Sequence, residues 1–172
     1  MRNILFILIL SLIGCTKPQE IKQLPPARSN PDKIIVHERK DNKIEDQEFS
    51  IVLPNSLERI EVDEDNVKLL YQDDLTQTIL VLTSESSGLS LDDLGSNALD
   101  SLREIGAFVS KIEEVKINNQ LFIHIEAIHK ERFMHAWFTN KHNKSYSLSC
   151  GFRKSKHQDK ICNSIIKTFK IK

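Results

Sequence analysis

The chain has 172 residues, enough for one domain with a hydrophobic core. Lys and Arg number 24, as do Asp and Glu, so the formal net charge is zero and no basic face for nucleic acid is predicted. With five glycines in the whole sequence, no glycine-rich loop is present to cradle a phosphate. We therefore expect no nucleic-acid partner and no cofactor.

The chain opens with a short export signal. Arg2 precedes an apolar run over residues 4–13, and a helix of about ten residues spans only roughly 15 Å, half of a hydrocarbon core of about 30 Å. Residues 1–14 are therefore predicted to be a cleaved signal peptide. The closing Leu12-Ile13-Gly14-Cys15 resembles a bacterial lipobox, which implies fatty acyl chains such as palmitate on Cys15 and a membrane anchor. The alternative is an ordinary signal peptide followed by an incidental cysteine.

Residues 15–45 are predicted to form a flexible tether. Four of the five prolines in the chain lie there among polar residues, and such a composition buries too little apolar surface to offset the entropy of ordering. The short apolar stretch 34–36 is the one place where an edge strand would fit. A single domain is predicted over residues 46–172.

The first half of that domain alternates between strand and helix patterns. A strand is predicted from Phe49 to Leu53, and a hairpin is predicted from the runs 67–71 and 78–82. The apolar spacing then changes to that of a helix over residues 91–105, which Ser90 caps and Gly106 ends.

The second half is predicted to be four hairpin-connected strands followed by a helix. The strands cover residues 108–117, 120–129, 131–140 and 145–152, with Asn118-Asn119 as a two-residue turn. The last helix begins at the capping box of Ser155 and Gln158 and carries Cys162. Together these elements predict an α+β fold, an antiparallel β-sheet covered by two main helices.

Cys150 and Cys162 are an even pair of cysteines in a chain that carries an export signal. We predict a disulfide between them, which stabilises the fold by roughly 3 kcal/mol for a loop of about a dozen residues. Two free buried cysteines are the alternative. A zinc site that includes the intervening His157 does not have suitable ligand spacing.

The sequence offers one weak metal candidate and no catalytic motif. His124 and His135 fall on adjacent predicted strands with Glu126 nearby, a His/His/carboxylate grouping, but strand histidines more often serve as cross-strand polar partners. Ser147 and Ser149 lack a nucleophile elbow. Phe133 and Trp137 share a strand face with His135 and are expected to be core residues rather than a ligand surface. We expect neither a bound metal nor an enzyme.

Several segments resemble the PsbP/Mog1/DcrB-like family (DUF1795-type), whose fold is an αβα sandwich. They are residues 49–54 (FSIVLP), 89–92 (LSLD), 115–118 (VKIN), 146–150 (YSLSC) and 165–169 (IIKTF). The resemblance implies a non-enzymatic role in partner binding or assembly. Envelope lipoproteins are among the proteins of this family that have such roles. The family lacks a shared catalytic motif, so it implies no site residues.

The sequence therefore predicts a lipid-anchored bacterial envelope protein that binds or assembles another protein without catalysis. The residue after Cys15 is Thr16 rather than Asp, which resembles the pattern in lipoproteins that are sorted to the outer membrane. We therefore expect the anchored protein to lie at the outer membrane and to face the periplasm. One alternative is a periplasmic immunity or inhibitor protein against a toxin or hydrolase. Another is a carrier of a metal or small ligand.

Overall fold

The computed structural model describes residues 42–153 and 156–172, without the side chains of residues 156–158. Ten strands and two helices form in this part of the chain. In order they are β1 (Asn42–Glu45), β2 (Phe49–Leu53), β3 (Glu58–Arg59), β4 (Val67–Asp73), β5 (Thr78–Ser86), α1 (Leu91–Glu104), β6 (Phe108–Ile117), β7 (Gln120–His129), β8 (Arg132–Lys141), β9 (Lys144–Arg153), α2 (Lys156–Thr168) and β10 (Lys170–Ile171). The predictions for the signal peptide, Cys15, stretch 34–36 and the Ser155 cap lie outside the described residues.

Seven strands form one antiparallel sheet with the order β3-β4-β5-β9-β8-β7-β6. The four predicted hairpin strands are present, and their turns use residues with left-handed backbone. Asn118 and Asn119 have φ angles of 50° and 65°, and His142 and Asn143 have 53° and 58°. These two-residue turns fix the register of β6 with β7 and of β8 with β9.

A second, smaller sheet has the order β1-β2-β10. Strand β1 pairs with β2 from Asn42 opposite Leu53 to Glu45 opposite Ser50, and β10 pairs with the other side of β2. The predicted boundary at residue 46 is therefore wrong, because residues 42–45 of the predicted tether are part of the folded domain. Their backbone groups find partners in β2, which outweighs the polar composition of the segment.

Helix α1 forms as predicted and covers one face of the large sheet. The Ser90 hydroxyl accepts a hydrogen bond from the backbone N–H of Asp93, the Asp93 carboxylate accepts one from the N–H of Ser90, and Gly106 follows with a φ of 75°. Gly95 lets the helix approach closely, since a Cβ there would lie 2.6 Å from Ile123 Cδ1. The apolar residues of this layer are Leu94, Ala98, Leu102, Ile123, Ile125, Ala127, Ala136 and Phe138.

The opposite face of the large sheet carries the larger core. Helix α2 and strand β2 pack on it together, and the buried residues include Phe49, Ile51, Leu80, Phe122, Trp137, Leu148, Ile165, Ile166 and Phe169. The expected sheet with a helix on each face is present, but the expected helical cover is incomplete on this side. The small sheet provides part of the cover on this side. Every second residue of β2 is apolar and buried, and this face of the strand packs on the large sheet.

The structure joins Cys150 of β9 and Cys162 of α2 in a disulfide, the pairing that the sequence predicts. The two Cα atoms are 5.9 Å apart, and both side chains lie in the larger core. The bond therefore holds α2 directly against the centre of the sheet. Neither helix of the described ranges is long and apolar enough to cross a membrane.

Candidate functional site

Two histidines lie side by side in the interior, on the sheet face that α2 covers. His124 is on β7 and His135 is on β8, and each is only 5% exposed. The strand register places Trp137 opposite His124 and Glu126 opposite His135, so the two imidazoles are diagonal neighbours. Buried imidazoles need hydrogen-bond partners for both ring nitrogens, because unmet polar groups are costly away from water.

Every ring nitrogen of the pair has such a partner. His124 Nδ1 lies 3.2 Å from a carboxylate oxygen of Glu113, His124 Nε2 lies 3.0 Å from His135 Nδ1, and His135 Nε2 lies 2.8 Å from a carboxylate oxygen of Asp159. We call Glu113, His124, His135 and Asp159 the imidazole array. It runs from strand β6 through the interior to the first turn of α2, with the carboxylates at the two solvent-facing ends.

The two imidazoles meet edge to edge. Their planes differ by 11°, and their centroids are 5.3 Å apart. The distance between the facing nitrogens, added to the distance from each nitrogen to its own ring centre, gives about this centroid separation. Both nitrogens therefore lie close to the line that joins the ring centres. Trp137 lies parallel to His124 within 5° at a centroid distance of 4.9 Å, and Phe152 lies 5.8 Å from His135. The aromatic neighbours hold both rings in place.

The charged groups around the array are mostly negative. Lys111 lies 2.8 Å from the Glu113 carboxylate and 3.8 Å from that of Glu126. The hydrogen bond from Lys111, followed by that from His124, lowers the pKa of Glu113. Burial lowers the pKa of His124, although its hydrogen bond with Glu113 opposes this effect. The neutral form of His124 is therefore favoured, beside the ionised form of the Glu113 carboxylate.

The predicted metal candidates do come together. One ligand atom each of His124, His135 and Glu126 lies within 4.8 Å of the others. The alternative interpretation, that these histidines are cross-strand polar partners, also describes their hydrogen bond. The expectation that no metal binds stays a prediction.

The two outer carboxylates of the imidazole array were not predicted from the sequence. A signal for Glu113 was present, because counting outward from the two-residue turn at Asn118-Asn119 places Glu113 opposite His124. Nothing local pointed to Asp159, since its position follows from how α2 packs on the sheet.

The aromatic residues that the sequence singled out serve the core. Trp137 is 2% exposed and belongs to the larger core cluster, with Phe133 packed against it. The expectation that these rings are packing residues is therefore correct for Trp137.

A different surface is open at the edge of the large sheet. Strand β6 is its last strand, and within the described residues no other strand pairs with its outer side. Phe108 is 68% exposed and Ile112 is 49% exposed. In β7, Ile128 lies opposite Phe108 and Ile125 lies opposite Ile112. Because Ile128 and Ile125 are three residues apart on one strand, they point to opposite faces of the sheet, and so do the exposed side chains of Phe108 and Ile112.

A small cavity lies on the α1 side of the sheet. Its walls include Val81, Leu102, Ile125, Met134 and Ser149, and its volume is about 50 Å³. A water molecule occupies about 30 Å³ of liquid, and ligand sites usually measure about 300–1,000 Å³. The cavity is thus too small for a typical organic ligand.

In comparisons by sequence, neither a family model nor a curated protein matches the chain. Solved structures do match it. The PsbP of the cyanobacterium Synechocystis sp. PCC 6803 (CyanoP) is 12% identical with a TM-score of 0.65, over 82% of this chain and 98% of that one. The Ran-binding protein Mog1p of Saccharomyces cerevisiae is 8% identical with a TM-score of 0.57, over 77% and 96%.

A protein of Bacteroides thetaiotaomicron is 17% identical with a TM-score of 0.51, over 72% of this chain and 45% of that one. At identities this low, the similarity concerns the fold alone. The chain therefore has a PsbP/Mog1-like fold, built from antiparallel sheets and two helices.

Proposed function

We propose that this protein is a non-catalytic envelope lipoprotein, anchored through acyl chains on Cys15, whose folded domain binds another protein. The lipobox-like sequence before Cys15 supports the anchor, and Thr16 supports the outer membrane as its destination. The disulfide between Cys150 and Cys162 suits an oxidising compartment such as the periplasm. Mog1p, which has the same fold, is a Ran-binding protein, and this supports a role in protein binding.

The observation that carries the binding role is the open edge of β6. A ten-residue strand there presents backbone N–H and C=O groups without a neighbouring strand in the described part of the chain. We infer that the occupant is an extended segment of the partner, which adds a strand beside β6 and covers Phe108 and Ile112. Lys111, Glu113 and Lys116 on the same strand oppose unselective pairing between edges.

A photo-crosslinking residue at Ile112 of the full-length chain, expressed in a Gram-negative envelope, tests this surface. The matched control is the same residue at Leu75, which is 97% exposed in the turn between β4 and β5. We expect a protein adduct from position 112 that position 75 does not give, and its loss when Phe108 is changed to Asp. Identical adducts from both positions, or no protein adduct, would contradict the proposal. A toxin or hydrolase as the adduct would favour the immunity or inhibitor role.

Mass spectrometry of the protein purified from membranes tests the anchor separately. We expect the mature chain to begin at an acylated Cys15, and we expect Cys15→Ser to retain residues 1–14 and to incorporate no labelled palmitate. An unacylated first residue in the wild-type protein would remove the anchor from the proposal. The crosslinking result at β6 does not depend on that outcome.

A further inference from the structure

The imidazole array brings two ring nitrogens face to face. The outer nitrogens, His124 Nδ1 and His135 Nε2, each lie within hydrogen-bond distance of a carboxylate oxygen, and an imidazole that donates its one N–H to a carboxylate has a lone pair on its other nitrogen. In the form in which both rings donate outward, His124 Nε2 and His135 Nδ1 direct lone pairs at each other across 3.0 Å. This contact is repulsive unless a cation lies between them.

The charged groups near the two imidazoles are mostly carboxylates. Glu113, Glu126 and Asp159 supply three carboxylates, and Lys111 supplies one ammonium group close to two of them. With both imidazoles neutral, these groups leave a formal charge of −2 beside an interior site. A proton between the rings halves that charge, whereas a divalent cation cancels it.

We propose that His124 Nε2, His135 Nδ1 and a carboxylate oxygen of Glu126 bind a divalent transition-metal ion of the zinc type. Two imidazoles and one carboxylate are a common set of three protein ligands for Zn²⁺, with the fourth position left to water. The ligand atoms already lie within 4.8 Å of one another. Tetrahedral coordination separates two imidazole nitrogens by about 3.3 Å and directs both lone pairs at the ion, so the two rings must tilt toward the ion as their 3.0 Å contact opens.

The outer members of the array match the second shell of such a site. A metal-binding histidine usually donates its other ring N–H to a carboxylate, which fixes the tautomer and orients the ring. Glu113 is placed to do this for His124, and Asp159 is placed to do it for His135. The Glu126 side chain is about one third exposed, which gives an ion and its water a path to the site. Asp159 therefore acts as a positioning residue rather than a ligand.

The single tryptophan of the chain reports on the site. Trp137 lies 4.9 Å from the His124 ring, so an ion bound there changes its fluorescence. Titration of the full chain, stripped of metal by a chelator, with Zn²⁺ should give a saturable change and one ion per chain by elemental analysis. We expect Glu126→Gln or His135→Gln to weaken Zn²⁺ binding at least about 100-fold, and Asp159→Asn to weaken it about 10- to 100-fold.

His129→Gln is the matched control, since His129 is on the same strand as His124 but outside the cluster. It should bind Zn²⁺ like the wild type. Glu126→Gln keeps the test valid if a buried histidine variant does not fold, because Glu126 is partly exposed and its replacement leaves no cavity. Absence of saturable Zn²⁺ binding, or equal binding by the Glu126→Gln and His129→Gln variants, would overturn the proposal.

Discussion

The side-chain amide of Asn118 donates a hydrogen bond of 2.9 Å to the carbonyl oxygen of Phe169, 51 residues further along the chain. The same nitrogen donates to the carbonyl oxygen of Lys167, also at 2.9 Å. Both acceptors lie at the end of α2, where the last turn of a helix has no internal partners for its carbonyls. One side chain therefore ties the turn between β6 and β7 to the end of that helix.

Replacing Asn118 with Gly should weaken the fold through the loss of these two bonds. Gly keeps the left-handed backbone of the position, where φ is 50°. At about 0.5–1.5 kcal/mol for each hydrogen bond, we expect the free energy of unfolding to fall by about 1–3 kcal/mol. Urea denaturation measures it. Asn119→Gly, at the neighbouring position with a φ of 65°, is the control, and an equal loss there would contradict the assignment.

Reduction of the disulfide between Cys150 and Cys162 should destabilise the domain by about 3 kcal/mol. The bond closes a loop with a sequence separation of 12, and in the chain-entropy model a loop of that size restricts the unfolded state by this amount. Unfolding in urea with and without a thiol reductant measures the difference. A variant that lacks both cysteines should give the same midpoint in the two conditions.

The carboxylate of Asp73 should make stability depend on acid pH. It accepts hydrogen bonds from the backbone N–H groups of Leu75 (3.0 Å) and Thr76 (3.2 Å). Burial raises the pKa of Asp73, but hydrogen bonds from Thr76, Ser56 and Leu75 outweigh it, so the pKa lies below its ordinary value.

A lowered pKa means that the carboxylate stabilises the fold above about pH 4, where Asp ionises in the unfolded chain, and that this stabilisation is lost as the pH falls through the folded-state pKa. We expect Asp73→Asn to be less stable than the wild type at neutral pH, with a gap that narrows in acid. Thermal unfolding across this pH range measures the gap. The exposed neighbour Asp74, changed to Asn, should show no such gap.

Changing Ser90 to Ala should cost about 1 kcal/mol of stability, since the Ser90 hydroxyl caps helix α1 by accepting the N–H of Asp93. Helical circular dichroism during urea unfolding measures the loss. Ser96→Ala, at an exposed position inside the same helix, is the control and should be neutral or slightly stabilising. A Ser90→Ala variant as stable as this control would contradict the capping role.

Features that depend on neighbours in sequence were predictable. The Ser90 cap, the left-handed Gly106 after α1, and the turn at Asn118-Asn119 all follow from residues within one turn of each other. The pairing of Cys150 with Cys162 followed from counting cysteines in a chain whose first residues predict an export signal.

Features that depend on distant partners were not predictable. Strands β1 and β10 have four and two residues, and each is ordered by pairing with β2 rather than by its own pattern. The contact of His135 with Asp159 likewise depends on where α2 packs. Hydrophobic periodicity carries no information about such contacts, which form only after the layers assemble.

The pairing of β1 has a mechanical consequence. The 41 residues that precede Asn42 join the domain through β1, whose four residues pair with a single strand, β2, in the described part of the chain. A pull on that upstream chain would therefore load the β1–β2 hydrogen bonds first. These bonds would rupture before the load reached Phe49 and the layer behind it, so β1 would be the first part of the domain to yield under tension.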